Sequence, residues 1–133
     1  MPSFSFSKNE KLCGEIRIGK LFSEGKAFIV FPLRVVFLKS DEHSGTPVKV
    51  MISVPKKKIR KAVDRNRIKR LIREAYRINK PDFISEIKEK DLHLHIGFTY
   101  VSDKESDFSH INEKIHLALG KILNTFREEK KTK

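Results

Sequence analysis

Between Pro55 and Arg77 eleven residues are lysine or arginine, and Asp64 and Glu74 are the only acids among them. Nine of the chain's twelve net positive charges therefore sit in one short run, and the remainder is nearly neutral. Within it, Ile68, Leu71, Ile72, Ala75 and Tyr76 recur at the spacing of a single buried helical stripe. At about 100° per residue, Asn66, Lys69, Arg70, Arg73 and Arg77 gather on the opposite side, flanked by Arg65 and Arg67. Like charges so crowded repel one another, and two acids offer little relief within the helix. Phosphates relieve the repulsion best. The planar guanidinium fork contacts phosphate oxygens in pairs, and Asn66 adds a donor and an acceptor for a ribose or base edge. Lys56, Lys57, Lys58 and Lys61 extend the basic surface around the start of the helix, whose free N–H groups also favour anions. The chemistry of this run is polyanion binding, and a net charge of +12 on 133 residues agrees with it.

Other chemistries find little support. No group of carboxylates stands at metal spacing, and no histidine is paired with a base, so no catalytic residue and no metal ligand is assigned. His93 and His95 fall on one face of a strand pattern but lack the third ligand a metal site needs. The single cysteine, Cys13, excludes an internal disulfide framework, is expected half-buried, and suits a reducing compartment. No apolar run is long enough for a signal peptide or a membrane span, so the expected compartment is the cytoplasm and no membrane partner is expected.

The elements that must position the basic face can be read from periodicity. The length fits a single domain over 1–133, with a frayed tail at about 128–133. Pro2–Ser7 alternates Phe4 and Phe6 with serines, as an extended arm or edge strand would. Lys8–Glu24 carries Leu12, Ile16, Leu21 and Phe22 at near-helical spacing and stops at Gly25, where a left-handed residue commonly ends a helix. Ala27–Leu38 and Val48–Val54 read as strands around a turn-rich loop at Lys39–Pro47. After the basic helix comes Asn79–Glu89, a short amphipathic helix or connector, and then a strand over Leu92–Tyr100 with one buried face. Ser109 is the expected N-cap of a last helix striped by Ile111, Ile115, Leu119, Ile122 and Phe126. The order helix, strand, strand, helix, strand, helix describes an α+β fold, a small mixed β-sheet with helices packed on one side. That leaves the other sheet face to be explained.

The run Ser53-Val54-Pro55-Lys56-Lys57-Lys58, followed by Lys61-Ala62-Val63-Asp64-Arg65-Asn66-Arg67-Ile68-Lys69-Arg70-Leu71-Ile72-Arg73-Glu74, resembles the signature of the bacterial ribonuclease P protein family. Its core is Arg-Asn-Arg followed by Lys-Arg and Arg-Glu. Leu21-Phe22-Ser23-Glu24-Gly25 resembles, more loosely, the ending of the family's first helix, and the likeness fades after Tyr100. The resemblance implies a ribosomal protein S5 domain 2-like fold in which the Arg-Asn-Arg helix lies in a left-handed βαβ crossover. Such a hand breaks the usual rule and cannot be read from periodicity.

Carried over to this sequence, the resemblance implies that Lys56, Lys57, Lys58, Lys61, Arg65, Asn66, Arg67, Lys69, Arg70, Arg73 and Arg77 contact ribonuclease P RNA, one protein per catalytic RNA. It implies a cleft for the single-stranded leader of precursor tRNA, lined by Ile18, Phe22, Val35 and Phe37, since unpaired bases stack on aromatic faces. Family members often carry a second aromatic one turn before Phe22, where this chain has Ile18. The implied activity is removal of the 5′ leader from precursor tRNA, with catalytic Mg2+ held by the RNA and substrate and none assigned to the protein. The alternative is a different, ribosome-associated RNA-binding module with no part in tRNA processing. A DNA-binding regulator would need a second helix placed for a major groove, and strands precede this helix instead. A stand-alone nuclease would need the missing acid cluster.

Overall fold

The computed structural model describes residues 10–41 and 46–131. Its elements run α1 (Glu15–Glu24), β1 (Lys26–Val30), β2 (Leu33–Lys39), β3 (Val48–Ser53), α2 (Ala62–Glu89), β4 (Leu94–Tyr100) and α3 (Phe108–Lys131). The four strands form one mixed sheet in the order β1-β2-β4-β3. β1 with β2 and β2 with β4 are antiparallel, while β3 and β4 are parallel neighbours joined through α2. This strand-helix-strand crossover carries the basic run.

Alternation in the strands separates two faces. Leu33, Val35 and Phe37 of β2, Val48 and Val50 of β3, and Leu94, Ile96 and Phe98 of β4 point into the main core, under α2 and α3. On the other face Val36 packs with Leu21 of α1 and with Leu12, flanked by Ile18, Leu38 and Met51. Helices α2 and α3 thus share one side of the sheet, and α1 lies against the other. Gly97 lets it approach, since a methyl group there would stand 3.0 Å from Val36 and 3.3 Å from Leu21.

Several expectations are corrected. Ala27–Leu38 is not one strand but two, folded back at Phe31-Pro32. An unbroken apolar run hid the reversal, although Pro32 supplies the break. The first helix begins at Glu15, later than expected, because Lys11 and Leu12 run beside the sheet: Lys11 bridges Val50, and the Leu12 N–H donates to the Val50 carbonyl at 2.9 Å. Gly25 ends α1 with φ −72°, outside the left-handed region. Space is what demands a glycine there, because a Cβ would meet the Leu21 carbonyl oxygen at 2.4 Å and Val36 at 2.8 Å. Asn79–Glu89 is no separate element. It continues α2 through Pro81, because Lys80, Phe83 and Ile87 prolong the stripe of Ile68, Ile72 and Tyr76 into the same core. Asp107, not Ser109, caps α3, its carboxylate accepting the His110 N–H at 2.9 Å. Cys13 is exposed instead of half-buried, since Leu12 beside it takes the inward place. The Pro2–Ser7 arm lies outside the described residues.

Candidate nucleic-acid interface

The basic face is built from its buried side outward. Ile68, Ile72, Ala75 and Tyr76 are fully buried, which fixes the roll of α2. Asn66, Arg67, Arg70 and Arg73 are left exposed, and Lys69 half-exposed. Upstream, Ile59 anchors the connecting loop in the core, and the Lys58 and Ile59 N–H groups donate to the Pro55 carbonyl at 3.0 and 3.1 Å. That turn holds Lys56, Lys57, Lys58, Arg60 and Lys61 in solvent. Arg60 belongs to this surface although its residue type was the only signal for it.

The arginines do not share one role. Arg65 is half-buried and donates to the Ile59 and Arg60 carbonyls at 3.1 and 2.6 Å, so it braces the loop against the helix. Arg67 is ion-paired with Glu105, whose carboxylate raises the guanidinium further above its ordinary range through their hydrogen bond. Arg77 is paired with Glu74 one turn back, and that guanidinium holds the Glu74 carboxyl below its usual range. Among the described residues no ion pair is drawn to Lys69, Arg70 or Arg73. The outward charge available to a partner centres on these three, with Asn66 and the loop lysines beside them.

Glu105 is presented by a firm loop. The phenol of Tyr100 donates to the Lys104 carbonyl and lies 2.9 Å from the Ser106 hydroxyl, and the Lys104 N–H donates to the Ser102 hydroxyl at 3.1 Å. Sequence reasoning missed this acid because 38 residues separate it from Arg67.

Two of the four residues expected to line a leader cleft lie on α1, on the opposite side of the sheet from α2. Ile18 is half-buried against the sheet, and Phe22 is 41% exposed, with ring surface free for a stacking partner. Val35 and Phe37 do not line it. They are 0% and 4% exposed and point into the main core, where Phe37 meets Phe28 and Phe126 edge to face. β2 is apolar at Val35, Val36, Phe37 and Leu38 alike, so alternation did not reveal which pair faced which side. The residues of β2 on the α1 side are Arg34, Val36 and Leu38, with Met51 from β3 and Gly97 from β4. On the same face of β1, Ile29 is left 62% exposed.

As for chemistry beyond binding, no cluster of three or more His, Cys, Asp or Glu that could hold a metal is present among the described residues. His95 is buried on the α1 side of β4, and His93 precedes that strand. No helix is long and apolar enough to cross a membrane among the described residues.

The family model described as Ribonuclease P matches residues 6–122. A ribonuclease P protein component of Porphyromonas gingivalis is 42% identical over 121 residues, covering 91% of this chain and 88% of that protein. One from Clostridioides difficile is 34% identical over 110 residues, covering 83% and 89%. The Staphylococcus aureus RNase P protein superposes with a TM-score of 0.68 at 21% identity over 86% of this chain and 94% of its own. The RNase P protein from Thermotoga maritima gives 0.65 at 26% identity over 83% and 94%. With the family model spanning most of the chain and relatives this similar, the arginine-faced crossover helix has its assignment: the chain belongs to the ribonuclease P protein family.

Proposed function

We propose that this subunit of ribonuclease P holds the catalytic RNA on the outward face of α2 and the single-stranded 5′ leader of precursor tRNA in the cleft beside α1. The observation that carries the first half is the roll of α2, which buries Ile68, Ile72 and Tyr76 and turns Asn66, Lys69, Arg70 and Arg73 outward, with no ion pair to Lys69, Arg70 or Arg73 among the described residues. A guanidinium row against a phosphate backbone releases counterions, so affinity should fall steeply with salt. The second half is supported by Phe22, whose exposed ring offers a stacking surface at the rim of the half-covered sheet face.

Among the described residues no group of three or more His, Cys, Asp or Glu could hold a divalent cation. In the proposed division of labour the RNA holds Mg2+ and performs the hydrolysis. The protein contributes positive charge and leader binding, which raises affinity for precursor over mature tRNA and eases metal binding at moderate magnesium. One protein per catalytic RNA, working in the cytoplasm, completes the proposal. The test is cleavage of precursor tRNA by a ribonuclease P RNA in low magnesium with and without this protein. Stimulation confined to leader-bearing substrate is expected. Absence of stimulation would sink the proposal and favour a ribosome-associated RNA-binding role.

A further inference from the structure

Lysine is seldom buried unless paired, yet Lys80 is 2% exposed on the inner stripe of α2 between Tyr76 and Phe83. Its ammonium donates to the Glu10 carboxylate at 2.5 Å, and Glu10 is itself buried. Glu10 opens a short arm of five residues that leads into α1. Lys11 bridges Val50 at the outer edge of β3, Leu12 is 3% exposed and packs with Leu21 and Val36, and Gly14 turns the chain into α1 with φ +99°. Nothing lies within 4 Å of where a Cβ on Gly14 would stand, so the positive φ, and not lack of room, is what favours glycine at that turn. One end of the arm is tied to the helix that carries the arginine face, and the other end delivers the helix that walls the cleft.

We propose that Glu10 and Lys80 are positioning residues for the leader cleft. Their buried ion pair clamps the arm to the edge of β3 and thereby sets where Ile18 and Phe22 stand over the sheet. This rests on the cleft being the leader site. Removing one partner leaves the other buried charge without the counter-ion that faces it, which expels the arm, whereas replacing both with apolar residues lets the arm stay docked. A role in stability alone would leave substrate discrimination unchanged in any variant that is folded at the assay temperature.

The test compares wild type, Lys80→Leu, Glu10→Gln and the double variant Glu10→Leu/Lys80→Leu, with folding checked by circular dichroism. A nitroxide on Cys13, exposed within the arm, reports arm mobility, and binding of precursor against mature tRNA by the reconstituted holoenzyme reports the cleft. Either single variant should mobilise the label and cut the preference for precursor about fivefold, the equivalent of one lost base stack, while binding to the catalytic RNA holds. The double variant should restore both. A label that stays immobile in the single variants overturns the clamp, as does a mobile label with unchanged preference. Should Lys80→Leu fail to fold, Glu10→Gln decides by the same two readouts. If wild type itself shows no preference for precursor, the leader reading has failed, and the clamp's role in it fails with it, whatever the label does.

Discussion

Arginine is not one kind of residue on this surface. Arg65 spends its donors on backbone carbonyls, Arg67 and Arg77 face carboxylates of the same chain, and Arg70 and Arg73 point outward. Spacing along a helix could identify the face but not this division, because Glu105 reaches Arg67 from the loop after β4. Arg70→Ala and Arg73→Ala should each weaken binding to the catalytic RNA and lower the slope of log K against log salt by about one unit, the contribution of one phosphate contact. A salt titration that leaves the slope unchanged removes α2 from the interface. Glu105→Gln is expected to act in the other direction. The carboxylate occupies the position a phosphate oxygen would take at Arg67, and both side chains are about half exposed, so the pair is weak enough for RNA to displace. Without it, affinity should rise roughly two- to fivefold and the slope steepen by about one unit. Weaker binding by Glu105→Gln would mean instead that the acid holds Arg67 in its binding pose.

At the scale of elements, legibility followed the number of apolar faces an element carries in its sequence. β4 is buried on both faces but alternates Leu94, Ile96 and Phe98 with His95, Gly97 and Thr99, and α3 carries one apolar stripe, so both were placed within a few residues of their expected positions. β2 is apolar on both sides because α1 covers one and the main core the other. Its alternation therefore carries no sign, which is why Val35 and Phe37 were assigned to the wrong surface. Gly25 was recognised as a stop for α1, but its need is lateral room against β2 and not an unusual backbone angle. Gly25→Ala should therefore destabilise the fold by about 1–3 kcal/mol, as overpacking typically does, and shift α1 away from Val36. Thermal unfolding matching wild type would show that the neighbours yield without cost. At the far ends of α2 and α3, Glu86 accepts two hydrogen bonds from Arg127, at 2.8 and 2.5 Å, which hold its carboxyl below the usual range. A carboxyl lowered by folding stabilises the native state above its unfolded value of about 4.3, and that contribution is lost as pH falls through the lower folded value. Glu86→Gln should therefore be less stable than wild type at pH 7, by a small margin for so exposed a pair, and the two should converge in strong acid. A gap that persists at low pH would assign the difference to packing instead.

On the scale of the whole molecule, the sheet works as a partition. α2 lies on one face and α1 on the other, and the two helices make no contact with each other. The basic run announced the first surface from sequence alone. Element order left the second as an unexplained sheet face, and only the family resemblance suggested a ligand for it, because a half-covered sheet face leaves no charge signature and its residues come from four strands and a helix. This separation makes a quantitative prediction. Phe22→Ala should lower the preference for precursor over mature tRNA about fivefold, as expected for one stacked base, with little change in affinity for the catalytic RNA. Arg70→Ala should do the reverse. Sites that share no partners have effects that add to within about 0.5 kcal/mol, so the double variant should show both losses, each within a factor of about two of its single-variant value. Binding of leader-bearing and mature tRNA by holoenzymes reconstituted with the four proteins measures this directly. If Arg70→Ala alone erased the preference for precursor, the two surfaces would not be independent. The leader would then be reading the placement of the whole protein on its RNA, and not a ring on α1.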